Sequence, residues 1–231
     1  MLEDPVFWLF VTPGLLLGAY AQSLIRSNYS KYAQIGTHSR MTGAQVARRI
    51  LDSEGLQSVA IEDTPGLLSD HYDPRTKSLR LSQEVFYTPS IAAAGIAAHE
   101  AGHALQDASD YFPMELRSYI VPLVQMSSKI APWLFFGGII LDFSLVAWTG
   151  VFLFGTSTLF TIVTLPVELD ASNRAKALLV REKIVQGEEE KRGISKVLTS
   201  AAWTYVAGAV SAIGSLFYVV FLVFRRTPPK P

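Results

Sequence analysis

Three stretches of this 231-residue chain contain no Asp, Glu, Lys or Arg: Pro5–Ile25, Phe143–Val167 and Val197–Phe224, of 21, 25 and 28 residues. A helix needs about 20 predominantly apolar residues to cross the hydrocarbon core of a bilayer. A water-soluble globule and a disordered chain are therefore both excluded. Charged residues make up 17% of the chain, against about 25% in an ordinary soluble domain, and the mean hydropathy is +0.27. The expected fold class is an α-helical integral membrane protein of about four transmembrane helices, with a small α+β, zincin-like region outside the bilayer.

The spans follow from where the charges fall. Pro5–Ile25 has Glu3 and Asp4 before it rather than basic residues. It is also longer than the roughly 7–15-residue apolar core of a signal peptide, so residues 1–25 read as a retained anchor. From Arg117 to Glu168 only Lys129 and Asp142 interrupt the apolar sequence. That is too long for one span, so residues 118–167 are predicted to form a transmembrane hairpin. Asp142 is expected at its far turn, the alternative being a buried functional carboxylate, and Lys129 is expected near a span end. Residues 201–224 form the last span, and the Pro-rich tail 225–231 is not expected to pack. Gly14 with Gly18, and Gly208 with Ala212, have the spacing of small residues that pack helices together.

Four spans put residues 26–117 and 168–200 on one side, and these hold 16 of the 20 basic residues. Positive charge near span ends favours the cytoplasmic face. The expectation is a multi-pass protein of the cell membrane, with its polar regions cytoplasmic and both termini outside. Twenty basic residues balance twenty acidic ones, so nucleic acid is not an expected partner. With no cysteine, disulfides and Cys-based zinc sites or nucleophiles are excluded.

Residues 26–117 read as a small α+β region. Thr42 and Gln45 have capping-box spacing and open an amphipathic helix, Gly43 to about Glu54, which Gly55 ends. Two strand-like runs, 68–72 and 78–82, flank the turn sequence Asp73–Lys77; Leu79 and Leu81 alternate with polar neighbours, predicting one buried face and one wet one. His38 reads as a surface loop residue. From about residue 90 to 107 the chain is Ala-rich and free of proline, which predicts a helix.

That helix contains His99-Glu100-Ala101-Gly102-His103. Residues four apart lie about 5–6 Å apart at Cβ on one helix face, so two imidazoles can share one tetrahedral ion. Glu100 lies off that face and reaches the water that the metal activates, which is the work of a general base. Catalytic zinc sites usually have three protein ligands. Residues 168–200 are predicted to form a helix after the hairpin; Glu168, its first charge, is the better candidate, and Asp170 the runner-up. The favoured reaction is peptide hydrolysis with Zn2+ held by His99, His103 and Glu168. Glu100 would deprotonate the water and protonate the leaving amine. Peptide or membrane-protein substrates and the lipid bilayer are the expected partners.

His99–His103, followed by a transmembrane hairpin and then by Pro166-Val167-Glu168-Leu169-Asp170-Ala171-Ser172-Asn173-Arg174, resembles the YugP-type membrane zinc metallopeptidases. The likeness extends to residues 41–44, 68–74 and 198–207. More remotely it is similar to the HtpX and CAAX-prenyl-protease families. The resemblance implies that His99, His103 and Glu168 bind zinc and that Glu100 is the base. In the HtpX pattern an Asp four residues after the Glu braces a zinc ligand; here that position is Ser172, and Asp170 or Asn173 is expected to serve instead. In such proteases an edge strand before the zinc helix pairs with the substrate, a position the 68–82 hairpin would fill. His71 or Tyr72 would then donate to the oxyanion, unless these residues belong to a structural turn cluster with Asp70, Asp73 and Pro74. Arg174 is another candidate donor, or else a solvated arginine. The rival readings are a catalytically silent zinc-binding membrane scaffold or adaptor, and a transporter.

Overall fold

The computed structural model describes residues 3–226, so the tail beyond Arg226 lies outside the described residues. The chain runs α1 (Pro5–Tyr32), α2 (Gly43–Ser53), β1 (Ala60–Thr64), β2 (His71–Asp73), β3 (Ser78–Ser82), α3 (Gln83–Tyr87), α4 (Ile91–Ala108), α5 (Phe112–Ile140), α6 (Ser144–Arg181) and α7 (Gly187–Arg226). Four of these helices, α1, α5, α6 and α7, are long and apolar enough to cross a membrane. The chain divides into two compact units. Among the described residues, one comprises 3–20, 115–166 and 203–226, the other 21–114 and 167–202.

In the first unit, α5 and α6 form the expected hairpin. Asp142 is at the turn between them with φ +52°, and the helices pack where Gly138 meets Ala147 and Gly150 meets Phe135. A side chain at either glycine would collide with the facing backbone. Of the glycines expected to pack helices, Gly14 does so, against Ser211, whereas Gly18 and Gly208 face open space. The close approach on α7 is instead made by Gly214 against Phe10. Lys129 lies well inside α5 rather than near its end, and is exposed on the helix surface. A long lysine stem can carry its charge toward an interface from there.

The second unit is α+β. α2 is capped as expected, with Thr42 and Gln45 satisfying each other's backbone N–H groups and Gly55 leaving the helix at φ +77°. Its apolar face of Val46, Ala47, Ile50 and Leu51 is fully buried. The sheet has the order β1-β3-β2, with β1 parallel and β2 antiparallel to the central β3. The predicted hairpin is present, but its first strand is only His71–Asp73. β1 has no sequence signal because only Ile61 and Thr64 of its five residues are even partly buried. β3 is buried at Ser78 and Ser82 as well as at Leu79 and Leu81, leaving only Arg80 partly exposed. It is thus wetter in composition than in environment, because Asp70 accepts hydrogen bonds from the Ser82 N–H and hydroxyl.

α4 is the core of this unit. Ser90 caps it by accepting from the Ala93 N–H at 3.1 Å, and its alanines are almost all buried. Small side chains let other helices come close: a Cβ on Gly102 would stand 2.8 Å from the Ala171 carbonyl oxygen of α6. Residues 168–200 were expected as one helix after the hairpin, but they form the end of α6 and the start of α7. The chain reverses at Glu182–Gln186, with positive φ at Lys183 and Gly187.

Candidate metal centre

The close contact at Gly102 sets α6 against the His face of α4. Glu168, three residues before Ala171, and Ser172, one after it, are thereby brought to the two histidines. One ligand atom from each of His99, His103 and Glu168 lies within 4.8 Å of the other two. Glu168 Oε2 is 3.2 Å from His99 Nε2 and 3.6 Å from His103 Nε2, and the two rings meet edge to face. Two ligands each about 2.0–2.1 Å from one tetrahedral ion stand roughly 3.3–3.4 Å apart, so the separations suit a shared ion. The three residues could hold a metal ion, and two imidazoles with one carboxylate are the donor set of one class of catalytic zinc site.

The far ring nitrogens are also engaged. His99 Nδ1 is 3.2 Å from the Ser172 hydroxyl, and His103 Nδ1 is 2.9 Å from Gln106 Oε1. Gln106 is fully buried and donates from Nε2 to the Val167 carbonyl and to Asp170 Oδ2, each at 2.8 Å. Asp170 accepts in turn from Arg174 Nε at 2.6 Å, and the Arg174 guanidinium lies over the Tyr111 ring. Burial works against a charge on His103. The Glu168 hydrogen bond and the negative charge of Glu100 outweigh it and raise its pKa above the ordinary value.

Glu100 is 8% exposed and makes no hydrogen bond or ion pair with any described residue. It adds its negative charge to the surroundings of His103 and of Asp70. Asp70 is itself held above its ordinary pKa, chiefly by burial, against which its Ser82 hydrogen bonds act.

Other expected residues lie elsewhere or are committed. Tyr72 donates its hydroxyl proton to Asp107 Oδ2 at 2.6 Å, and Lys77 pairs with the same carboxylate. Its only proton is therefore not available to an oxyanion. Because Tyr72 faces α4, the next residue along the strand faces the other way. His71 is exposed opposite Arg80, with Nδ1 bonded to the Ser69 carbonyl. Arg174 is tied to Asp170, and Asn173 is exposed. Ser172 itself meets His99, while Asp170 reaches His103 only through Gln106. Sequence reasoning passed over Gln106, although three residues after His103 is a neighbouring position on a helix.

The chain is helical, with four potential spans and a His-His-Glu group that could hold a metal ion. The chain belongs to the family described as "Putative neutral zinc metallopeptidase", which matches residues 7–224. It is similar to the "Putative membrane protease YugP" of Bacillus subtilis (strain 168), at 43% identity over 220 residues, 94% of this chain and 97% of that protein. No solved structure matches the chain. The family resemblance read from the motifs is thus borne out.

Proposed function

We propose that this protein is a membrane-embedded zinc endopeptidase that hydrolyses peptide bonds of membrane or membrane-associated proteins, working on the cytoplasmic side. His99, His103 and Glu168 would hold the ion and Glu100 act as general base. The observation that carries this reading is the state of Glu100. Glu100 is a nearly buried carboxylate with no hydrogen bond or ion pair among the described residues, and carboxylates are seldom buried unless paired. Nothing in the packing of α4 requires one there, whereas a reaction that moves protons does. A structural metal site would have no use for it and would prefer a fourth protein ligand. Among the described residues the metal-binding group has three.

Zinc, when bound, polarises a scissile carbonyl and acidifies a water molecule. Glu100 would take a proton from the attacking water and hand it to the leaving amine. Glu168 supplies negative charge to the site, and Ser172 and Gln106 hold the two imidazoles. Sidedness rests on the basic residues of the segments after the first and third spans.

The test is metal content and proteolysis of a membrane-protein substrate and of casein, for wild type, Glu168→Ala and Glu100→Gln. The expected outcome is one zinc and cleavage in wild type, loss of metal in Glu168→Ala, and retained metal without cleavage in Glu100→Gln. A Glu100→Gln protein that cleaves like wild type would refute the assignment of the base. Zinc binding without cleavage in any form would favour the scaffold.

A further inference from the structure

We propose that Gln106 is a positioning residue of the metal centre, whose side-chain amide fixes the His103 imidazole with its proton on Nδ1 and its Nε2 lone pair toward the ion. The inference rests on the zinc reading above and deepens it. The amide has no freedom in the matter. Its Nε2 faces two acceptors, the Val167 carbonyl and Asp170 Oδ2, each at 2.8 Å. Turning it over would set Oε1 against both oxygens, breaking two hydrogen bonds at a side chain that is 0% exposed. Oε1 therefore faces His103 Nδ1 at 2.9 Å and can only accept, so Nδ1 must carry a proton. The remaining nitrogen, Nε2, is the one 3.6 Å from Glu168 Oε2.

The same amide ties the two ligand-bearing helices together. Val167 immediately precedes Glu168, and Asp170 follows it by two residues, so Gln106 on α4 holds the backbone of α6 at the third ligand. Asp170 is kept in place by Arg174, whose Nε is 2.6 Å away. Among the described residues His99 has only the Ser172 hydroxyl at its Nδ1, at 3.2 Å. The two histidines are thus held unequally, and His103 is the one that is locked.

The experiment compares the zinc dissociation constant, by chelator competition, in full-length detergent-solubilised wild type, Gln106→Met and Asp170→Asn. It is paired with proton–nitrogen NMR of zinc-loaded protein labelled at its four histidines. Removing a partner of a metal-bound histidine typically weakens metal binding by about 10–100-fold. Gln106→Met, which keeps the volume, is expected to lose zinc affinity in that range. It should also lose the hydrogen-bonded Nδ1–H signal of His103. Asp170→Asn leaves Val167 to orient the amide, and should keep the signal while losing less zinc affinity than Gln106→Met. If Gln106→Met does not fold, Gln106→Asn carries the test, since the shorter amide cannot span all three partners. A folded Gln106 variant with wild-type zinc affinity and the signal intact overturns the proposal, as does a tenfold loss in Asp170→Asn without one in the Gln106 variant. Wild type that binds no zinc would instead refute the metal reading itself.

Discussion

Replacing Gly102 by alanine tests how the third ligand is placed. The added Cβ would lie 2.8 Å from the Ala171 carbonyl oxygen and 3.3 Å from its Cα. An ordinary contact begins at about 3.4 Å, so the helices must separate by roughly 0.6 Å or absorb the clash. Both atoms are backbone, and no side chain can swing aside. Metal–ligand distances tolerate only about ±0.2 Å, and α6 carries Glu168 one turn away, so a 0.6 Å displacement exceeds what the site can accept. Overpacking of this kind costs about 1–3 kcal/mol. The gain from replacing a mid-helix glycine returns about 0.5–1 kcal/mol, which leaves a net cost of up to about 2.5 kcal/mol. If that falls on the metal site, zinc affinity drops by up to some tens of fold, since about 1.4 kcal/mol is a factor of ten. Chelator competition measures this, alongside thermal unfolding of the zinc-free protein. Gly208→Ala, with nothing within 4 Å, is the control and should bind zinc normally. A Gly102→Ala protein that binds zinc like wild type and is no less heat-stable would refute the idea that this contact positions Glu168.

Two further outcomes concern residues in and beside β2. Tyr72→Phe removes the hydroxyl from Asp107, which keeps Lys77, and should destabilise the protein by about 1–2 kcal/mol; an unchanged kcat would separate this from an oxyanion role. Asp70 has a folded-state pKa above its ordinary value, so its contribution to stability is full below the unfolded pKa and is lost as pH rises through the folded one. Asp70→Asn should therefore gain in unfolding temperature relative to wild type as pH is raised through that window; a difference independent of pH would refute it.

What could be read in advance was whatever depends on neighbours in sequence. The charge-free runs announce spans because bilayer thickness sets a length. The turn at Asp142 shows itself as a charge midway along residues 118–167, where Lys129 is the only other. Thr42 and Gln45 satisfy each other across one helical turn, so their capping box needs no tertiary partner. His99 and His103 share a face by helix geometry alone, which is why the candidate metal helix was plain.

The misreadings concern partners distant in sequence. β1 is a strand because β3 pairs with it, not because of any alternation of its own. Tyr72 is spoken for by Asp107, 35 residues away, and His71 faces away from α4 through strand alternation once Tyr72 is fixed. Ser172 meets His99 because Ala171 presses on Gly102, a contact invisible in either segment alone.

The sequence by itself determined the membrane class, the metal helix and its general base candidate, since bilayer length and helical repeat are local rules. Only the tertiary structure decided how the candidates divide. It brought Glu168 to within 3.2 Å of His99, tied Asp170 to His103 through the buried amide of Gln106, and left Glu100 with no hydrogen bond or ion pair among the described residues. These depend on how closely α4 and α6 approach, and that distance is set by atoms some 69 residues apart in the chain.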